Sequence, residues 1–134
     1  MDALGSQIET FLKAPAFAVV GASADPSKYG HKCFACYLQK GRTAYAVNPR
    51  ADRILGHSAY KDLASLPEKV ESISIITPPA VTEQVMDEAI AAGVKNVWMQ
   101  PGAESDAAIE KGRDAGLNVI GGNACLLVVL GYRE

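Results

Sequence analysis

The segment Ala18-Val19-Val20-Gly21-Ala22-Ser23-Ala24-Asp25-Pro26-Ser27-Lys28-Tyr29-Gly30 gathers the residue types best suited to holding an anion. An apolar run that breaks at Gly21 into small residues, then resumes helical spacing near Tyr29, reads as strand, loop and helix start. At such a junction in a parallel α/β sheet, free backbone N–H groups and the positive end of a helix converge, and together they attract phosphate. Gly21 adopts backbone angles closed to other residues and lets a phosphate approach the main chain. After Ala22, Ser23 offers a hydroxyl. Lys28 can close over a diphosphate or remain a surface charge. Tyr29-Gly30 can bring an aromatic edge and a bare backbone to the ligand, or Tyr29 can fold inward. Two familiar signatures are missing: G-x-G-x-x-G, because the glycine after Gly21 is Gly30, and the G-K-[ST] ending of a P-loop.

The other strand ends narrow the choice of ligand, because open α/β sheets bind at the carboxyl ends of their strands. After the second strand the chain reads Val47-Asn48-Pro49-Arg50, where NAD-binding sheets usually present a carboxylate to the ribose diol. Arg50 instead suits a phosphate on the ribose, which points to NADP or to coenzyme A with its 3′-phosphate. Standing alone, Arg50 would read as a solvated loop charge. Thr77-Pro78-Pro79 forms a rigid shelf beside a hydroxyl, fit to pack against adenine, while Pro79 also starts a helix. Gln100-Pro101-Gly102 and Gly121-Gly122-Asn123 complete a set of small, polar or proline-rich ends that turn chemistry alone would also favour.

Other reactive residues do not assemble into a catalytic set. Cys33 and Cys36 have the C-x-x-C spacing of a redox pair, yet Cys33 lies a turn inside a helix on its apolar stripe, which favours core packing. Cys125 and the distant His31 and His57 do not complete a metal site. His31 lacks an identifiable carboxylate partner, so no acid–base or nucleophilic arrangement is expected. Trp98 reads as a core or subunit-contact residue.

The elements that position these residues follow from periodicity. Residues 3–13 read as a helix with Ile8, Phe11 and Leu12 on one face, and residues 16–20 as a strand covered on both sides. A helix over 29–40 carries Cys33, Phe34, Tyr37 and Leu38 and stops at Gly41. A strand at 44–47 leads into a weakly structured stretch, 48–67, with a helical turn near 61–65. Then come a strand at 73–76, a helix from Pro79 to Gly93, a strand at 96–99, a helix capped by Ser105 and ending at Gly116, and a strand at 117–120. This alternation predicts a single α/β domain over 1–134: a Rossmann-like, doubly wound parallel sheet of about five strands between two helical layers. The apolar tail 124–130 must pack, either as a last helix on this domain or against a partner in a homodimer or larger complex.

Bulk properties set outer bounds. With 134 residues, 49% hydrophobic and 21% charged, the composition is globular. No apolar run approaches the ~20 residues of a membrane span. Three cysteines and an N-terminus without a basic and apolar leader are what a cytoplasmic protein would show. Residues 1–67 carry 8 Lys and Arg against 5 Asp and Glu, and residues 68–134 carry 5 against 10. That imbalance is too weak for a nucleic-acid surface, but it favours a small anion on the N-terminal half.

Taken together, Val20-Gly21-Ala22-Ser23 with Lys28-Tyr29-Gly30, Val47-Asn48-Pro49, Thr77-Pro78, the run from Val97 through Gln100-Pro101-Gly102 to Ser105, Ala115-Gly116-Leu117 and Cys125 resemble the small stand-alone CoA-binding proteins. That family is similar to the nucleotide-binding domain of the succinyl-CoA synthetase α subunit. The resemblance implies that the Gly21 loop meets the phosphates of coenzyme A or an acyl-CoA, with Asn48-Pro49-Arg50 and Thr77-Pro78 around the adenosine. The synthetase's phosphohistidine belongs to a domain this chain lacks, so the implied role is non-catalytic: a carrier, sensor or subunit. An NADP-binding reductase or redox sensor is the alternative. The chain departs from the pattern at Gly122-Asn123-Ala124-Cys125, where relatives tend to place an acidic residue shortly before the cysteine.

Overall fold

A computed structural model describes residues 3–122 and 124–133. Its elements are α1 (Ala3–Leu12), β1 (Phe17–Val20), α2 (Tyr29–Gln39), β2 (Ala44–Val47), β3 (Arg53–Ile54), β4 (His57–Tyr60), β5 (Ser72–Ile75), α3 (Pro79–Ala91), β6 (Asn96–Met99), α4 (Asp106–Asp114), β7 (Asn118–Gly121) and α5 (Leu126–Leu130). All strands join one sheet in the order β3-β4-β2-β1-β5-β6-β7.

Two features correct the expected five parallel strands. First, the stretch 48–67 holds the expected helical turn, a 3₁₀ turn at Leu63–Ser65, but also contributes β3 and β4 to the sheet. Second, the sheet is mixed: β4 pairs parallel to β2, but β3 runs antiparallel to β4. Leu55 and Gly56 both have positive φ, 50° and 77°, which is the backbone of a tight hairpin turn matched to strand twist. An edge strand of only two residues offers little unpaired backbone for another chain to extend.

The central strands β1, β5 and β6 and their neighbours alternate their side chains between two cores. Ala18 and Val20 face α3 and α4, packing with Ile73, Ile75, Val85, Met86 and Val119. Phe17 and Val19 face α1, α2 and α5, packing with Phe11, Phe34, Tyr37, Trp98 and Leu126. Phe17 stacks on Tyr37 with ring centroids 4.8 Å apart, and Phe11 meets Trp98 edge-on at 5.3 Å. Trp98 is therefore a core residue, and its indole N–H donates to the carbonyl of Ala124.

Polar side chains fasten this core rather than interrupt it. Ser72 donates to the Phe11 carbonyl, Asn96 donates to Ser72, and Asn118 donates both to Asn96 and to the Gln7 carbonyl, so α1 is tied to the sheet's lower edge. The tail folds back as α5 and buries Leu126 against α2, while Val128 stays 79% exposed. No described helix is long and apolar enough to cross a membrane.

The crevice at the carboxyl edge of the sheet

The chain leaves β1 toward β2 on one side and later returns as β5 on the other, so the crevice opens where Gly21 and Ile76 end neighbouring strands. Gly21 has φ 95° and donates its N–H to the Val47 carbonyl at 3.0 Å. A Cβ at Gly21 would lie 2.3 Å from the Ile76 carbonyl oxygen, and one at Gly30 would lie 2.0 Å from the Gly21 carbonyl oxygen. These two glycines therefore let the β1 turn and the first turn of α2 touch backbone to backbone, which aims the N-terminus of α2 across the crevice. Lys28 occupies the N-cap of α2 but supplies no side-chain cap, so the helix end keeps donors for a ligand.

The connecting loop is more tightly built than a run of small residues suggests. Asp25 N donates to the Ser23 hydroxyl oxygen at 3.0 Å, and Asp25 accepts from the Ser27 N–H at 2.9 Å and the Ser27 hydroxyl at 2.8 Å. The two Ser27 bonds hold the Asp25 carboxyl below the usual range, with Lys28 and His31 adding to the effect. His31 closes the loop from the helix side through Nδ1, 2.9 Å from the Ser23 carbonyl oxygen. Some of the loop's own donors are thus spent internally. The hydrogen of the Ser23 hydroxyl, whose oxygen is already an acceptor, remains to be donated.

One cavity of about 460 Å³ collects residues from three strand ends: Gly21, Asn48, Pro49, Arg50, Thr77 and Pro78. Asn48 holds two of these ends together, donating from Nδ2 to the Ala22 carbonyl and accepting the Arg50 N–H, each at 2.8 Å. The Thr77 hydroxyl lies 2.8 Å from that of buried Thr82, in the first turn of α3, which fixes the shelf made by Pro78. Tyr29 lies outside this cavity, 63% exposed, and lines a neighbouring one. Ser23, Lys28, Ala22 and Gly30 do not line it either; Ser23 is half-buried, Lys28 is exposed, and Ala22 and Gly30 are buried in the turn.

Sequence reasoning missed Lys61, Asp62, Gln84 and Glu88, which line the same cavity from β4's exit and from α3. Burial raises the Glu88 carboxyl, and the charge of Asp62 adds to it. Glu88 falls on the crevice side of α3, a placement that the strand-end rule does not reach. Within the run Gly122-Asn123-Ala124-Cys125, where the acidic residue is missing, Asn123 lies outside the described residues.

The family of CoA-binding domains matches residues 15–131. The chain belongs to that CoA-binding family. It is 33% identical over 91 residues to the α subunit of ADP-forming acetate–CoA ligase II from Pyrococcus furiosus, a match covering 67% of this chain and 20% of the relative. It is 28% identical over 119 residues to ADP-forming acetate–CoA ligase I from Archaeoglobus fulgidus, covering 81% of this chain and 17% of that one. The chain thus spans about a fifth of the length of the curated relatives it matches.

Among solved structures, a conserved hypothetical protein from Pyrococcus furiosus superposes with a TM-score of 0.80 at 38% identity, covering 85% of this chain and 97% of its own. The dinucleotide-forming acetyl-coenzyme A synthetase 1 of Candidatus Korarchaeum cryptofilum, in complex with phosphate and ADP, gives 0.73 at 32%, covering 81% of this chain and 26% of its own. CoA-domain membership and the Rossmann-like α/β fold are the common ground. The ligase and synthetase relatives are named for CoA.

Proposed function

We propose that this protein binds coenzyme A or an acyl-CoA across the crevice and is non-catalytic toward those ligands, serving as a carrier, a sensor or a subunit. The diphosphate faces the Gly21 turn and the uncapped first turn of α2, with Ser23 and Lys28 beside it. Arg50, with Lys61 beside it in the cavity, meets the ribose 3′-phosphate, and the adenine packs on Thr77-Pro78. The observation that carries this reading is the convergence of three strand ends on one cavity next to an uncapped helix N-terminus, in a chain of the CoA-binding family.

Titration calorimetry with coenzyme A, acetyl-CoA and NADP tests it. Saturable heat is expected for both CoA species and a much weaker response for NADP, whose ribose phosphate sits on a different carbon. A folded protein that gives no heat with either CoA species overturns the reading.

A further inference from the structure

A second cavity, of about 270 Å³, lies on the other side of Ile76 and is lined by Tyr29, Ile76, Gln100, Pro101 and Cys125. Ile76 also lines the larger cavity, whose Gly21 abuts Gly30 in the first turn of α2, and Tyr29, the first residue of α2, lines the smaller one, so the start of α2 connects the two hollows. A ligand with its adenosine in the larger hollow and its diphosphate at α2 sends its far end over Ile76 into the smaller one. In coenzyme A that far end is a thiol.

The smaller hollow is built around sulfur. Gln100, only 3% exposed, donates from one Nε2 to Cys33 Sγ at 3.4 Å and to Cys125 Sγ at 3.6 Å, while its Oε1 accepts the Leu126 N–H at 2.9 Å. One buried amide thus contacts two thiols: half-buried Cys125, which lines the cavity, and fully buried Cys33, which does not. The motif visible in the sequence, Cys33 with Cys36, is not the pair that the fold assembles around Gln100.

Resting on the CoA-binding reading, we propose that Cys125 and Cys33 form a thiol pair that reduces the disulfide form of a CoA-class ligand bound in this crevice. Cys125 Sγ attacks one sulfur of the ligand disulfide, giving a mixed disulfide with one CoA half and releasing the other half as a thiol that takes up the proton Cys125 has lost. Cys33 Sγ then attacks Cys125 Sγ, the second CoA thiol leaves with the remaining proton, and a Cys33–Cys125 disulfide forms once the Gln100 amide swings from between the sulfurs. The ligand disulfide is reduced to two thiols and the two cysteines are oxidised, so the electrons balance. A disulfide buried behind an attacking thiol also explains why the inner cysteine needs no access of its own to the ligand.

The test incubates reduced, full-length protein with CoA disulfide under anaerobic, non-reducing conditions and follows intact mass and released CoA thiol. Wild-type protein is expected to lose the mass of two hydrogens and release two CoA thiols per chain, with Cys36→Ala behaving alike. Cys33→Ala is expected to stop at the mixed disulfide, gaining one CoA less two hydrogens. Cys125→Ala is expected to react with nothing. Oxidised glutathione, which lacks the nucleotide handle, should react about ten-fold more slowly or worse.

The proposal falls if Cys125 gives no adduct, if Cys33→Ala yields the same products as wild type, or if glutathione disulfide reacts as fast. Thermal melts show whether each variant is folded, and Cys33→Ser replaces Cys33→Ala should the latter unfold. Calorimetry of the wild type with reduced coenzyme A separates the two claims. Heat without exchange in the wild type sinks the thiol pair alone, whereas absence of heat in the wild type sinks the binding reading and this one with it.

Discussion

Arg50 is the residue on which ligand choice turns, because it is the strand-end cation in the large cavity where a NAD-binding sheet would carry an acid. Replacing it with Ala is expected to weaken coenzyme A binding about ten-fold, equivalent to roughly 1.4 kcal/mol, while leaving dephospho-CoA, which lacks the 3′-phosphate, almost unaffected. Calorimetry on both ligands measures the difference; equal losses would place Arg50 away from that phosphate. Glu88 works in the opposite direction. As a carboxyl raised by burial in an anion-binding cavity, it opposes the ligand at neutral pH, so Glu88→Gln is expected to tighten binding a few-fold at pH 7 and to have less effect as pH falls and the native carboxyl takes up its proton.

Cys33 makes a separate pH prediction. Burial, reinforced by Cys125 and Cys36, pushes its thiol from the ordinary 9.0 up to about 12. Between those values the unfolded chain has released this proton and the folded chain has not, so stability declines as pH rises from 9 toward 12. Cys33→Ala should flatten part of that decline in melts taken across the range, with Cys36 and Tyr37, both raised by burial, and Tyr45, raised by its hydrogen bond to Glu68, retaining the rest. A Cys33→Ala slope as steep as the wild type would show that the thiol is not held neutral by the fold.

At the level of elements, the glycines separate into kinds that sequence alone does not distinguish. Gly30→Ala puts a methyl 2.0 Å from the Gly21 carbonyl oxygen, and neither backbone can yield without parting α2 from the β1 turn. The expected cost is about 3 kcal/mol, seen as a fall of about 10 °C in melting temperature, with loss of CoA binding. Gly41→Ala instead meets a positive φ, 71°, with nothing within 4 Å of its Cβ, so it should cost only about 1 kcal/mol and leave binding intact. Similar melts for the two variants would mean that the backbone contact is not what holds the turn.

The same scale shows how far the chain could be read in advance. Strands β1, β2, β5, β6 and β7, the Ser105 cap that accepts the Ala108 N–H, and the strand ends at Asn48 and Thr77 were legible because local pattern and tertiary role agree there. The β3–β4 hairpin was not, since His57-Ser58-Ala59-Tyr60 is short and half exposed and its turn uses Leu55, a residue that seldom takes positive φ. The Gln100 bridge was equally hidden. It joins Cys33 to Cys125 across 92 positions of chain, and only the packing of α2 and α5 against β6 brings them together.

For the whole molecule, the charge imbalance acquires a location. Lys28, Arg50 and Lys61 all come from the basic half and all stand at or near the crevice, while Asp62 and Glu88 temper the field there. Affinity for coenzyme A should therefore fall with added salt, and ligand at about a hundred times its Kd should stabilise the fold by about 2.7 kcal/mol. The exposed Val128 and Val129 on α5 give self-association a surface, and sedimentation equilibrium measures whether it is used.

The most direct test of the account is a titration of isotope-labelled protein with coenzyme A followed by amide chemical shifts. Shifts should concentrate at Gly21, Ala22, Ser23, Tyr29 and Gly30, with a second group at Arg50 and Thr77. Saturable binding that leaves those amides unmoved, and instead shifts residues of the hollow around Leu66, Val70 and Val94 beneath the opposite edge of the sheet, would contradict it.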